Sequence, residues 1–297
     1  MAKTERMKLH TLLGSYPNTA ALRAGKVPSD LVDLDFADVK VPSSAFKRLV
    51  REAAFDLGEL AIVSYLQAKL YDKPYVLLPV TAMARSQHHT LVYNKARGPL
   101  TPSDLNGRRV GVRAYTVTTG TWVRAFLAED YGIDISRVRW ITFEDPHLAE
   151  YRDPPFVERA PAGKTLVQTL LDGEIDAAIV GDTLPEGLTH LVADPEDAGR
   201  RWARAHSGMP INHMMVIRKS IAQSRPDVVK EIARMFRESK RAAKLPATEP
   251  ALDPYRFGVE ANRHSLELII GYCVEQQLIP RPFSVDELFD DTTRALA

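Results

Sequence analysis

Apolar residues in the first 90 positions fall into short runs that switch between a two-residue and a helical period. Lys8–Leu13 reads as a strand, and Ser15–Gly25, with Pro17 near its start, as a loop and first helix. Leu31–Phe36 alternates apolar and acidic residues, as a half-buried strand does. Pro42, Ser43 and Ser44 lead into a helix whose Phe46, Leu49, Val50 and Ala53 share one face, with Ser43 or Ser44 as its N-cap. A short strand at Phe55–Leu57, a helix at Glu59–Leu70 and a buried strand at Tyr75–Val80 complete a βαβαβαβ order. That order predicts a parallel sheet with right-handed crossovers.

After an apolar strand at His89–Asn94 the pattern restarts. Thr101–Asn106 predicts a capped turn, Arg109–Arg113 a strand, Thr119–Tyr131 a helix and Val138–Phe143 a strand. Thr165–Asp172 predicts a helix closed by Gly173, followed by a strand at Ile175–Val180. Beyond the polar loop around His206–Asn212 comes the apolar strand Met214–Arg218, and helices dominate the rest: Asp227–Ala243, Gly258–Gln277 and Val285–Leu296. Two βα sets separated by two distant apolar strands suggest two lobes. His89–Asn94 would carry the chain out and Met214–Arg218 would bring it back. Residues 1–92 and 213–297 are thus assigned to the first lobe, with the C-terminal helices packed on it, and residues 93–212 to the second.

Length and charge narrow the function. The 297 residues suffice for two cores, and 39 Lys and Arg against 38 Asp and Glu leave a net charge of +1. That balance gives no footprint for nucleic acid or an anionic membrane. The single cysteine, Cys273, excludes an intramolecular disulfide and reads as a buried thiol. Met1–Arg6 is charged, but no apolar run of the ~7–15 residues of a secretory signal follows, and none approaches the ~20 of a membrane span. A cytoplasmic protein is expected, and a homo-oligomer stays open.

The second half carries a resemblance. Leu105-Asn106-Gly107-Arg108-Arg109-Val110-Gly111-Val112 resembles the strand that opens the second lobe of type II periplasmic binding proteins. Gly120–Leu127 resembles the helix after their ligand loop, and Val167–Ala178 (VQTLLDGEIDAA) a further segment of theirs. The fold this implies is a two-lobed type II periplasmic-binding-protein-like α/β architecture. Each lobe would be a mostly parallel sheet flanked by helices, with two crossing strands between them. Phe257–Arg263, Glu275–Arg281 and Val285–Phe289 resemble the tail of 4,5-dihydroxyphthalate decarboxylases. That resemblance implies a cytoplasmic carboxy-lyase that converts 4,5-dihydroxyphthalate, or a close analogue, to protocatechuate. One position departs from the family's pattern: Gln87 stands before His88 where an Arg is the rule. This implies a substrate with a single carboxylate, or a second one gripped elsewhere.

Ligands of open α/β sheets sit beyond the carboxyl ends of strands. Among the loops so nominated, Arg113–Gly120 combines a guanidinium with Tyr115, Thr116, Thr118, Thr119 and Gly120 at a helix start, able to cap the helix or to hold a carboxylate. Arg85, His88 and His89 end the first lobe's last strand, and Asn212 and His213 open the return strand. Strand alternation would point only one of His88 and His89 into the cleft. Glu59 at a helix start with Ser64 one turn on, Asp182 after its strand, and His147 with Glu150 complete the candidates. The spacing of His147, Glu150 and Asp182 matches no metal motif, and neither a metal nor an organic cofactor is expected.

Aromatic decarboxylation needs an acid over the carbon that loses CO₂, a base near a para hydroxyl and a cationic clamp for carboxylates. His89 or His213 is assigned as acid, Glu59 or Asp182 as base, and Arg85 with Arg113 as clamp. The rival reading is a non-catalytic solute-binding protein for a small anionic or pyrimidine-like ligand of an ABC transporter, and a third is a biosynthetic enzyme on the same fold.

Overall fold

The computed structural model describes residues 6–246 and 248–296; the charged start at Met1–Glu5 lies outside the described residues. The chain order is β1 Met7–Leu12, α1 Ala20–Arg23, β2 Val32–Phe36, α2 Phe46–Glu52, β3 Leu57–Ala61, α3 Ile62–Leu70 and β4 Tyr75–Ala84. There follow β5 Leu91–Asn94, β6 Arg109–Val112, α4 Thr118–Tyr131, β7 Arg139–Thr142, β8 Val157–Arg159 and α5 Leu166–Leu171. Next come β9 Ala177–Ile179, β10 Leu188–His190, α6 Pro195–Ala205, β11 Ile211–Arg218, α7 Lys219–Ser224, α8 Pro226–Ala242, α9 Val259–Glu275 and α10 Asp291–Arg294.

Two sheets result, one per lobe: a five-stranded sheet ordered β2-β1-β3-β11-β4 and a six-stranded sheet ordered β10-β5-β9-β6-β7-β8. The first is parallel across β2, β1 and β3, while β11 runs antiparallel between β3 and β4. The second is parallel across β9, β6, β7 and β8, with β5 and β10 antiparallel at its other edge. This is the two-lobed α/β class that the alternating pattern predicts. Sheet membership changes between Ala84 and Leu91 and again between His190 and Ile211, so β5 and β11 each belong to one sheet and the loops before them make the crossings.

Several local readings change. Leu57–Ala61, buried along its length, is a strand rather than the start of a helix, because its run of small and apolar residues fills the centre of the sheet. Glu59 therefore sits mid-strand. His88–Thr90 is a turn of 3-10 helix, not a strand, so the alternation argument does not apply there. A 3-10 turn at Pro42–Ala45 precedes α2, and neither Ser43 nor Ser44 caps that helix; the Ser44 hydroxyl donates back to the Val41 carbonyl. The expected helix at Val285–Leu296 is a capped 3-10 turn and the single turn α10.

One core runs from α2 and α3 of the first lobe through α4 to α9, joining Phe46, Leu66, Trp122, Phe126 and Ile269. Polar contacts reinforce this joint: Trp122 Nε1 donates to the Ile211 carbonyl (2.9 Å) and Gln276 Nε2 to the Thr121 carbonyl (3.0 Å). Arg124, fully buried, donates to Gln276 Oε1 and the Tyr115 carbonyl and lies over the Tyr115 ring. So α9 holds both lobes, whereas α8 and α10 pack mainly on the first.

Candidate active site

The cleft between the sheets is a cavity of about 820 Å³. Its wall is built from the carboxyl ends of parallel strands: Gly14, Ser15 and Tyr16 beyond β1, Lys40–Ser43 beyond β2, Ala61 at the end of β3, Arg113 beyond β6, Phe143 and Glu144 beyond β7, and Val180–Asp182 beyond β9. Because β11 is antiparallel, its amino end brings Asn212 and His213 to the same side, beside Met83 at the end of β4 and Arg85 just beyond it. Helix starts close the ring, with Thr118 and Thr119 from α4 and Thr165 and Leu166 from α5.

Four cations line this cavity, Lys40, Arg85, Arg113 and Lys164, against two carboxylates, Glu144 and Asp182, and Lys164 is itself paired with Glu174 behind the wall. The remaining positive excess suits an anion. Part of the charge is already paired: Arg85 contacts Asp182 across the cleft, and Arg113 Nε lies 3.7 Å from Glu144. His89 Nε2 is 3.3 Å from the same Asp182 carboxylate and 3.5 Å from Arg85.

Two imidazoles reach the cavity from opposite lobes, and both meet Phe46 edge-on, His213 at 5.1 Å and His147 at 5.5 Å between ring centres. The Nδ1 atom of His147 is 2.7 Å from the Ser64 hydroxyl. Burial, assisted by nearby Arg113, Lys47 and His213, lowers its pKa to about 3, so His147 is a neutral imidazole at ordinary pH. His213 turns its Nδ1 towards Glu59 Oε2 at 3.8 Å. Glu59 is 0% exposed, and its other oxygen accepts the Tyr16 hydroxyl at 2.9 Å. Neither His213 Nδ1 nor Glu59 Oε2 has a hydrogen-bond partner among the described residues, and the two atoms face each other.

The structure thus gathers Arg85, Arg113, Thr118, Thr119, Asp182, Asn212 and His213 around one cavity. Other expected residues stand off it. Glu59 and Ser64 lie behind the wall, each bonded to a residue of the wall, and His89 joins through Arg85 and Asp182. His88 faces inward instead, stacked on Phe126 at 3.9 Å with its Nδ1 on the Ser86 hydroxyl; burial lowers its pKa to about 4. Tyr115 and Thr116 are buried, the former beneath Arg124, and Gly120 abuts Val112 and the same guanidinium. These four therefore offer a ligand no atoms. Thr118 does not cap α4; its hydroxyl accepts the Val63 amide of the opposite lobe at 3.2 Å. Gln87 is 1% exposed and donates to Asn212 Oδ1 at 2.5 Å, which leaves the Asn212 amino group for the cavity. Gln87 therefore meets the cavity only through Asn212.

Among the described residues, no three of His, Cys, Asp and Glu converge on one point as metal ligands would, and no helix is long and apolar enough to cross a membrane. No family model matches the chain. It is 33% identical over 321 aligned positions to the 4,5-dihydroxyphthalate decarboxylase of Comamonas testosteroni, covering 96% of each chain. The chain belongs to the 4,5-dihydroxyphthalate decarboxylase family. A second member, the 4,5-dihydroxyphthalate decarboxylase of Pseudomonas putida, is 33% identical over 217 positions, 68% of this chain and 83% of that one. The family's architecture is also that of the alkanesulfonate-binding protein SsuA from Xanthomonas axonopodis pv. citri bound to MOPS. That structure superposes with a TM-score of 0.63 over 97% of this chain and 99% of its own, and at 13% identity the likeness concerns the fold alone.

Sequence reasoning missed Tyr16, Lys40, Ser43, Phe46, Lys164 and Thr165 as parts of this family's cleft. Tyr16 and Lys40 follow strands and were within reach of the strand-end rule that found Arg113. Lys164 and Thr165 were hidden by the unread strand β8, which precedes them.

Proposed function

We propose that the protein is a carboxy-lyase that removes CO₂ from 4,5-dihydroxyphthalate, yielding protocatechuate, in the cavity between its lobes. The near-full-length identity with the decarboxylase of Comamonas testosteroni carries this reading. The positive excess of the lining supports an anionic substrate, and the two imidazoles support proton transfer.

Heterolysis of an aryl–carboxylate bond leaves an electron pair in the plane of the ring, so protonation must come first. In the proposed mechanism the His213 imidazolium delivers its Nε2 proton to the carbon bearing the carboxylate. Each carboxylate of this substrate has a para hydroxyl, which feeds electrons into the ring as that carbon becomes tetrahedral. The C–C bond then breaks, its electron pair restores aromaticity, and CO₂ leaves. One proton is consumed and one aryl C–H is formed. His213 recovers its proton from solvent.

The buried Glu59 carboxylate supports the imidazolium from behind the wall; its 0% exposure removes it from direct contact with a ring hydroxyl. Neutral His147, with Nδ1 engaged by Ser64, offers Nε2 to that hydroxyl, and Arg85, Arg113 and Lys40 hold the carboxylates. Asp182 is exposed and paired with Arg85, which favours a lobe-to-lobe contact over the role of base. Lobe closure would exclude water and strengthen each of these charges.

The test is incubation with 4,5-dihydroxyphthalate and a panel of hydroxybenzoates, following CO₂ release and the ultraviolet spectrum. The expected result is stoichiometric CO₂ and protocatechuate from the dicarboxylate. Binding without turnover across the panel would overturn the reading.

A further inference from the structure

Glu59 occupies an unusual position for a carboxylate. It lies mid-strand in β3, opposite Met215 of β11, with no exposed surface and no Arg or Lys within ion-pair distance among the described residues. A buried carboxylate is costly unless its lone pairs are satisfied. One oxygen is satisfied by Tyr16, and the other is aimed at His213. The orientation of the carboxylate, and hence of the imidazole, is therefore set by a single phenol.

That phenol is itself held in place. The loop after β1 turns back through Thr19, whose hydroxyl accepts the Tyr16 amide (2.9 Å) and donates to the Gly14 carbonyl (2.8 Å). The Tyr16 ring folds over Gly14 so closely that a Cβ on residue 14 would stand 2.5 Å from Cζ and 2.6 Å from the hydroxyl. Gly14 does not adopt a positive φ, so its lack of a side chain serves space rather than backbone conformation. Burial, then the neighbouring carboxylate, raises the Tyr16 hydroxyl well above its ordinary range, which keeps it a neutral donor.

We propose that Tyr16 is a positioning residue for proton transfer: its hydroxyl turns Glu59 so that the free oxygen faces His213 Nδ1, and Gly14 is the vacancy that lets the ring lie there. The consequence is a defined imidazole, protonated on Nδ1 towards Glu59 and presenting Nε2 to the cavity. This rests on the reading of His213 as the proton carrier. The groups facing that ring are Glu59 on β3 and Phe46 on α2, with His147 across the same Phe46 from the second lobe.

The test uses the intact protein and the substitutions Tyr16→Phe and Gly14→Ala. Each is expected to lower kcat by about tenfold, the low end of the range for acid–base groups, with KM within about twofold. The double variant should be no worse than the slower single variant, since both disable one unit. An independent readout is the ¹⁵N spectrum of the His213 ring without substrate, taken at a pH high enough to deprotonate the imidazolium, which should show one neutral tautomer in the wild type and a mixture in Tyr16→Phe. Wild-type kcat in Tyr16→Phe, or an unchanged tautomer population, would overturn the proposal. Should Gly14→Ala fail to fold, Tyr16→Phe decides alone. If the wild type shows no decarboxylation, the ring spectrum still decides the positioning claim, and it is the proposed activity that fails.

Discussion

His213 and His147 flank one phenylalanine from opposite lobes, yet their surroundings push them to different tasks. A carboxylate backs the first, and burial keeps the second uncharged. Replacing His213 by Asn is expected to reduce kcat at least tenfold with the circular dichroism unchanged; a wild-type rate would remove it from the mechanism. The buried histidines also set the acid limit of the fold. His147 and His88 fall to about 3 and about 4 from an ordinary 6.5. Between those values the unfolded chain takes up protons that the folded chain refuses. Their contribution to stability is thus fully present above about pH 6.5 and declines as pH falls, by about 1.4 kcal/mol per pH unit for each such histidine. Urea midpoints measured from pH 4 to 7 should show this slope, and His147→Gln should flatten it. Parallel slopes for the variant and the wild type would refute the assignment.

Elements were legible where packing and periodicity agree. Gly111 in β6 shows why its motif is so readable: a Cβ there would lie 2.5 Å from the Cδ1 methyls of both Ile175 and Leu166, which would have to turn away for the segment around α5 to close on the strand. Gly111→Ala should destabilise the protein by about 1–3 kcal/mol through overpacking, read as a lower urea midpoint at constant slope. A neutral result would mean that α5 moves freely. Elsewhere the signal was thin. Helix α6 buries Ala198, Gly199, Trp202 and Ala203, so its periodicity is carried by the charged residues of the opposite face and not by large apolar ones, and it was passed over. The three-residue strands β8 and β10 lie at sheet edges, where one side chain suffices to satisfy the core. Glu59 was misread because an acidic residue before an apolar run imitates a helix start. The second lobe's part of the cleft could be read because Arg113 and Thr118 share one strand-to-helix loop. The first lobe's part was read only at the crossings, in Arg85 and His213; Tyr16 and Lys40 stand in strand-end loops with no clustered polar motif to single them out.

At the scale of the molecule, Arg85 and Asp182 form a bridge between the lobes, from the end of β4 to the loop after β9. A carboxylate ligand competes with Asp182 for that guanidinium, so binding and lobe geometry are coupled. Asp182→Ala should give a larger radius of gyration by X-ray scattering without ligand and return to the wild-type value with bound phthalate. Equal radii in both states would sever the link. Replacing Arg85 by Gln should raise KM at least tenfold, in keeping with the roughly 1.5–3 kcal/mol of a charge-assisted hydrogen bond.

The antiparallel β11, wedged between β3 and β4, imposes an order on biosynthesis. When β1–β4 leave the ribosome their central partner is still untranslated, and the hydrogen-bonding edges of β3 and β4 face an empty slot. The second sheet is made from one continuous stretch of chain and can assemble at once. The nascent protein therefore carries a finished second half on an unfinished first one. A chain that stops before Ile211 would expose the apolar edges of β3 and β4 to aggregation or to a chaperone.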